Sequence, residues 1–260
     1  MSWLRTDVSH AARVWSYWLG GMSHYPVDAE VGDRIVAIVP ELPRSAVADR
    51  RFLTRAVRFL AGEAGIRQFL DIGSGLPAGD STHEVAQQVD PGCRIVCVDN
   101  DPLVLTHARA LLCGSPEGAT AYVDGDVHDP EAILREAART LDLGRPVALT
   151  LLGVLNFVLD TDEAVSVVRR LLDAVPSGSY LVVSHPTTEV DGAAMAAAVE
   201  YWNGRGSAPM TLRTRGELAR FFEGLELLEP GLVTCSRWRP EEDEAGLVDV
   251  AHWAGVARKP

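Results

Sequence analysis

The rhythm of apolar and polar positions changes near residue 64. From residue 66 onward, short apolar runs alternate with segments of helical period, the pattern of a mostly parallel sheet covered by helices. The runs at 67–72 (RQFLDI), 94–99 (RIVCVD), 120–125 (TAYVDG), 146–152 (PVALTLL) and 180–185 (YLVVSH) predict five strands. The fourth is apolar except for Thr150, as befits the middle of a parallel sheet. Between them, Ser81 and Glu84 have the spacing of a capping box, while Asp101-Pro102 and Asp129-Pro130 open helices that Gly114 and Gly144 close. Further helices are expected at 162–174, at an alanine-rich stretch near 192–202, and after Thr214 and Glu217. Runs at 227–234 and 250–257 predict a late hairpin, hence an antiparallel element completing a sheet of seven strands.

Residues 1–63 follow a different pattern and predict three helices: 9–19 ended by Gly20-Gly21, 28–38 ended by Pro40, and 44–62 ended by Gly65. They are expected to form a cap over the mouth of the α/β domain at 64–260, with no flexible linker between. The first of these helices carries Trp15, Tyr17 and Trp18.

The chemistry centres on Asp71-Ile72-Gly73-Ser74-Gly75, where the first predicted strand ends. Glycines there let the backbone turn sharply and come close to a ligand in the crevice at the carboxyl ends of the strands. With Ala78 the segment also satisfies a relaxed dinucleotide pattern, G-x-G-x-x-A. A dinucleotide brings a pyrophosphate to this turn, which Asp71 and Asp80 would repel. S-adenosylmethionine brings an ammonium and a sulfonium instead, which suit a turn bearing carboxylates. Asp99, 24 residues beyond Gly75, ends the second strand, where a carboxylate accepts from ribose hydroxyls with either cofactor. Asp126 follows the third strand, placed to accept from an adenine amino group, with Val127 against the ring. Asp also favours turns in general, so the three together are more specific than any one.

Composition narrows the partners. The 260 residues carry a formal charge of -12 with no local basic patch, which excludes nucleic acid and anionic membrane as expected partners. No apolar stretch approaches the roughly 20 residues of a spanning helix, and MSWLRTDVSH is not a secretion signal, so a cytoplasmic protein is expected. Cys93, Cys97, Cys113 and Cys235 have no metal-ligand spacing and read as reduced thiols.

With these residues in view, the chain resembles the class I S-adenosylmethionine-dependent methyltransferases from the first strand to the final hairpin. More narrowly it resembles an actinobacterial family of such enzymes long catalogued as a domain of unknown function. The likeness lies in Ala12-Arg13-Val14-Trp15 through Gly20-Gly21, Arg50 to Phe59, FLDIGSGLP, VDNDPLVL, LLGVLNFV and PSGSYLVVSH. It implies a Rossmann-like fold, S-adenosylmethionine as cofactor and a small-molecule methyl acceptor. By position it implies that Asp71, Gly73, Ser74 and Gly75 hold the methionine end and Asp99 with Asn100 the ribose. Asp126 and Val127 would take the adenine, and Leu152 and Gly153 the other side of the cofactor. After the double glycine, where the family usually carries a charged residue, this chain has Met22-Ser23-His24-Tyr25.

Methyl transfer from a sulfonium needs alignment and exclusion of water, and a base only where the acceptor is protonated. His185, ending the fifth strand, is the candidate base, and Asn156, after the fourth, the candidate for orienting the acceptor. Trp15, Tyr17, Trp18, His24, Tyr25, Tyr201 and Trp202 are candidates for acceptor walls, with packing of the cap as their alternative role. No metal is expected, because the positions after strands four and five hold Gly153-Val154 and His185-Pro186 rather than carboxylates. Aminocarboxypropyl transfer, a regulatory module that binds the cofactor without turnover, and a nicotinamide-dependent reductase remain as alternatives. An exposed face of the cap offers a route to a homodimer.

Overall fold

A computed structural model of the chain describes residues 5–77, 79–110, 115, 117–206, 208–241 and 248–260. Ala78, Cys113 and Gly114, named above, lie outside the described residues. The five predicted parallel strands are present as β1 (Gln68–Ile72), β2 (Arg94–Asp99), β3 (Ala119–Asp124), β4 (Ala148–Leu152) and β5 (Tyr180–Pro186). The late hairpin differs in one respect. Its first arm is split into β6 (Glu226–Leu227) and β7 (Val233–Thr234), both pairing antiparallel with β8 (His252–Arg258). Pro230 lacks the ladder N–H and Gly231 has φ +88°, so a continuous strand cannot pass through them. The sheet order is β3-β2-β1-β4-β5-β8-β6, with β7 also on β8. This is the expected Rossmann-like sheet, parallel apart from its C-terminal strands.

Alternation along the strands sorts two cores. Leu70, Ile72, Val96, Val98, Leu149, Leu151, Leu181 and Val183 face one way, against α6 (Pro130–Ala137), α7 (Thr161–Asp173) and α9 (Arg215–Ala219). Phe69, Ile95, Cys97, Ala148 and Val182 face the other way, against α3 (Leu42–Gly62), α4 (Thr82–Val89) and Trp238. Asp160, Asp129 and Thr214 cap α7, α6 and α9 by accepting from backbone N–H groups, as such residues do at helix starts.

The expected boundary at residue 63 does not separate two cores. Phe52, Ala56, Val57 and Leu60 of α3 lie within the second sheet core, so this helix belongs to the α/β layers. The part that stands over the sheet is α1 (Ala11–Trp18), α2 (Pro26–Ile38) and α8 (Gly192–Asn203), joined through Val14, Val31, Ile35, Met195, Ala198 and Trp202. A parallel bridge between Ser9 and Gly206 ties α1's entry to α8's exit. Chain order alone cannot reveal α8's membership, because this helix follows the whole run from β1 to β5 and packs by tertiary contact.

A buried ionic cluster fixes α1 on the sheet. Asp28 accepts from the His10 and Tyr25 backbone N–H groups at 3.0 and 2.8 Å, and Arg13 donates to the Arg5 and Val8 carbonyls. Asp101, just beyond β2, caps α5 (Pro102–Ala110) through Leu103 N–H and stands 3.0 Å from His10 Nδ1 and 3.2 Å from Arg13 Nε. Buried charges are tolerated only when paired in this way.

Candidate functional site

Strand order reverses between β1 and β4, and a crevice opens at such a switch point beyond the carboxyl ends of the strands. Here the cap roofs it. The result is a cavity of about 600 Å³, bounded below by the strand ends and above by α1, α8 and the start of α3.

The glycine turn forms the floor. Gly73 and Gly75 have φ +79° and +67°, a region side chains disfavour. A Cβ on Gly73 would meet Val154 at 2.7 Å, so the turn after β1 and the one after β4 close on each other only because Gly73 is bare. Around Gly75 and Gly153 the space a Cβ would fill is open. Ser74 borders the cavity, and its buried hydroxyl has no partner.

Three carboxylates stand along this floor in distinct states. Asp71 is buried; its two oxygens accept from Thr150 Oγ1 and Thr82 Oγ1, each at 2.7 Å. Burial pushes its carboxyl up, against the two hydroxyls and the charge of Arg50. Asp99 accepts from the Gly75 N–H at 2.8 Å and the Asp101 N–H at 2.9 Å, so the end of β2 holds the turn after β1. Burial raises its carboxyl too, while those backbone donors and His10 oppose the rise. Each of its oxygens keeps a lone pair for a further donor. Asp126 is exposed at the mouth. Partial burial pushes it up, but the His128 backbone N–H at 3.0 Å and ring at 2.7 Å draw it below the ordinary range. Asn100, Val127, Leu152 and Gly153 complete this end of the wall.

Of the residues expected at an acceptor site, Asn156 borders the cavity, held by a short turn after β4 whose carbonyl at Asn156 accepts from Thr211 N–H at 2.9 Å. Trp15, Trp18 and Trp202 border it as well. Four others do not. Tyr17 donates to Asp33 at 2.6 Å and packs edge-on against His24; Tyr25 lies beneath the Arg13 guanidinium; Tyr201 packs under Arg205. These rings brace the cap.

His185 is also corrected. It is fully buried away from the cavity, with Nδ1 2.7 Å from the Pro186 carbonyl and Nε2 2.7 Å from the Arg213 guanidinium. A guanidinium only donates, so Nε2 accepts and Nδ1 carries the proton. Burial pushes the ring down to about 3, so it stays neutral and cannot reach an acceptor. The cause is register: His185 pairs with Trp253, whereas the next pair, Pro186 with His252, falls on the opposite face and borders the cavity.

Several wall residues have little or no signature in the sequence. His252 and Met195 come from elements far along the chain, and Asp49 and Arg50 from a helix expected in the cap. The one available clue is that Arg50 opens a stretch shared with the resembled family. Among the described residues it is the one Arg or Lys on the cavity wall.

Known proteins resemble this chain along its whole length. A family model described as S-adenosyl methyltransferase matches residues 2–260. A DUF574-family protein from Streptomyces avermitilis MA-4680 is 48% identical over 99% of this chain and 100% of its own, with a TM-score of 0.95. A candidate methyltransferase from Thermobifida fusca YX is 40% identical over 97% and 96%, with a TM-score of 0.88. A carboxy-S-adenosyl-L-methionine synthase from Citrifermentans bemidjiense is 24% identical over 167 residues, 61% of each chain, so the match spans less than two thirds of that relative. The chain belongs to the S-adenosyl methyltransferase family, and it is an S-adenosylmethionine-dependent methyltransferase of the class I, Rossmann-like fold.

Proposed function

We propose that this enzyme moves the methyl group of S-adenosylmethionine to a small molecule enclosed beneath the cap. The observation that carries the reading is the cavity's two unlike ends. One is a glycine floor with carboxylates at successive strand ends; the other is walled by Trp15, Trp18 and Trp202 and roofed by α1 and α8. A roofed chamber of about 600 Å³ suits a small ligand beside the cofactor better than a polymer. The formal charge of -12 argues the same way against nucleic acid.

The floor residues fit S-adenosylmethionine by charge and shape. Asp99 offers its remaining lone pairs to the ribose hydroxyls, and Asn100 lies beside it. Asp126, with Val127, takes the adenine edge and face. Open space at Gly75 and Gly153 lets the ligand lie against bare backbone, with Ser74 and Leu152 flanking it. At the zwitterionic end, Asp71 faces the ammonium and Arg50 the carboxylate, each charge opposite its complement. The bound cofactor supplies an already activated methyl carbon, and the protein's share is alignment and exclusion of water.

Two measurements follow. Arg50→Ala is expected to weaken S-adenosylhomocysteine about 10- to 100-fold, as loss of a charged hydrogen bond does. It should leave 5′-methylthioadenosine, which lacks the amino-acid end, unchanged; equal losses for both ligands would refute the pose. Second, incubation with methyl-labelled S-adenosylmethionine and a deproteinised bacterial metabolite extract is expected to place label in small, solvent-extractable products. Label found in added nucleic acid or protein, and none in the extract, would sink the small-molecule reading.

A further inference from the structure

Two buried polar side chains that border the cavity each carry an atom with nothing to bond. His252 is 3% exposed, and its Nδ1 has no hydrogen-bond partner; Asn156 is 3% exposed, and its Oδ1 has none. Both border the cavity. Such atoms are expensive to leave unpaired in a folded protein, and two on residues bordering one cavity point to a ligand that pairs them. They are held close to one stretch of chain. Thr211 N–H donates to the Asn156 carbonyl, Arg213 N–H donates to the Pro186 carbonyl, and Pro186 is the strand partner of His252.

We propose that His252 takes the proton of a neutral hydroxyl of the acceptor, that Asn156 Oδ1 accepts from a second donor on the same molecule, and that the product is a methyl ether. This rests on the methyl-transfer reading above and adds the chemical class of the acceptor. The rest of the wall selects that class. Trp15, whose ring centroid is 5.4 Å from that of His252, together with Trp202, Met195 and Phe157, calls for an apolar, ring-bearing body. Asp49, whose carboxylate acts on the His252 ring, disfavours a carboxylate acceptor there, which would need no base in any case.

An alkylammonium is disfavoured on different grounds. It has no lone pair until fully deprotonated, and burial pushes His252 below the ordinary histidine range, with the Asp49 carboxylate opposing the shift. Such an imidazole is a poor match for a proton held with a pKa of about 10. A hydroxyl keeps its lone pair and can give up its proton as the new bond forms. The acceptor oxygen bonds to the methyl carbon, the carbon–sulfur bond breaks with its electron pair left on sulfur, and the hydroxyl proton passes to the His252 ring. S-adenosylhomocysteine, a methyl ether and a protonated histidine result, and the histidine returns its proton to water.

The test uses the labelled product from the metabolite extract, whose bond type is read without knowing its identity. A methyl ether survives mild alkali and releases labelled methyl iodide in hot hydriodic acid. That behaviour supports the proposal; labelled methanol in mild alkali (an ester), or label that resists the acid (carbon-bound or nitrogen-bound methyl), overturns it. Absence of any transfer fails the underlying methyl-transfer reading and this one with it. His252→Gln is then expected to slow transfer at least about 100-fold while S-adenosylhomocysteine affinity stays within twofold, the size of effect typical for loss of a general base. Transfer at the native rate by this variant would overturn the role of His252. Should the variant not fold, the bond chemistry of the native product decides alone.

Discussion

Replacing Arg213 with alanine is expected to remove about 4 kcal/mol of stability, near the upper end of what one side chain contributes to a fold. Arg213 is 1% exposed, and its guanidinium donates to the Leu155 carbonyl at 2.8 Å, His185 Nε2 at 2.7 Å, Thr161 Oγ1 at 3.1 Å and the Val158 carbonyl at 2.5 Å. Truncation strands these acceptors away from water and leaves a void beside Phe221, over whose ring the guanidinium lies. For a chain of this length such a loss lowers the melting temperature by roughly 10 °C. Lysine does not restore it, since one ammonium cannot reach acceptors arranged for a planar fork. The same bonds fix the turn that carries Asn156 and Phe157 to the cavity, so the variant that survives folding should also methylate more slowly. Thermal unfolding of Arg213→Ala and Arg213→Lys checks this; a melting temperature close to native for either would contradict it.

His185 and Arg213 also mark what could and could not be read from the chain. The alternation of strands and helices, the switch point after β1 and the acids ending β1 and β2 were legible, because each is a local pattern with a local cause. Even the split first arm of the hairpin has its sign in the sequence, at Pro230-Gly231. What escaped depends on which way a residue faces after distant segments pair. A histidine at the end of β5 looks like a base until β8 settles against it, and then one position decides whether the ring enters the cavity or the core. His252 had no distinguishing neighbour in sequence. The aromatic residues of the cap divided for the same reason: the three tryptophans reach the cavity while Tyr17, Tyr25 and Tyr201 found partners within the cap. Arg13, His10, Asp28 and Asp101 form one buried cluster from three separate segments, and no spacing along the chain foretells it.

Asp99→Ala carries the second large effect and bears most directly on where the cofactor lies. Asp99 is 8% exposed, borders the cavity and spans from β2 to the Gly75 turn. If it accepts from both ribose hydroxyls, its loss removes two charge-assisted hydrogen bonds, about 2–4 kcal/mol of binding, or roughly 30- to 1000-fold in affinity. Loss of its own bonds to Gly75 and Asp101 should lower stability by about 1–2 kcal/mol and leave the protein folded. Calorimetric titration of the native protein and Asp99→Ala with S-adenosylhomocysteine separates the two effects, with thermal unfolding run alongside. Tight binding to the native protein is expected, with a drop of at least about 30-fold in a variant that still unfolds cooperatively. Equal affinity for the two proteins would contradict the placement of the cofactor on this floor.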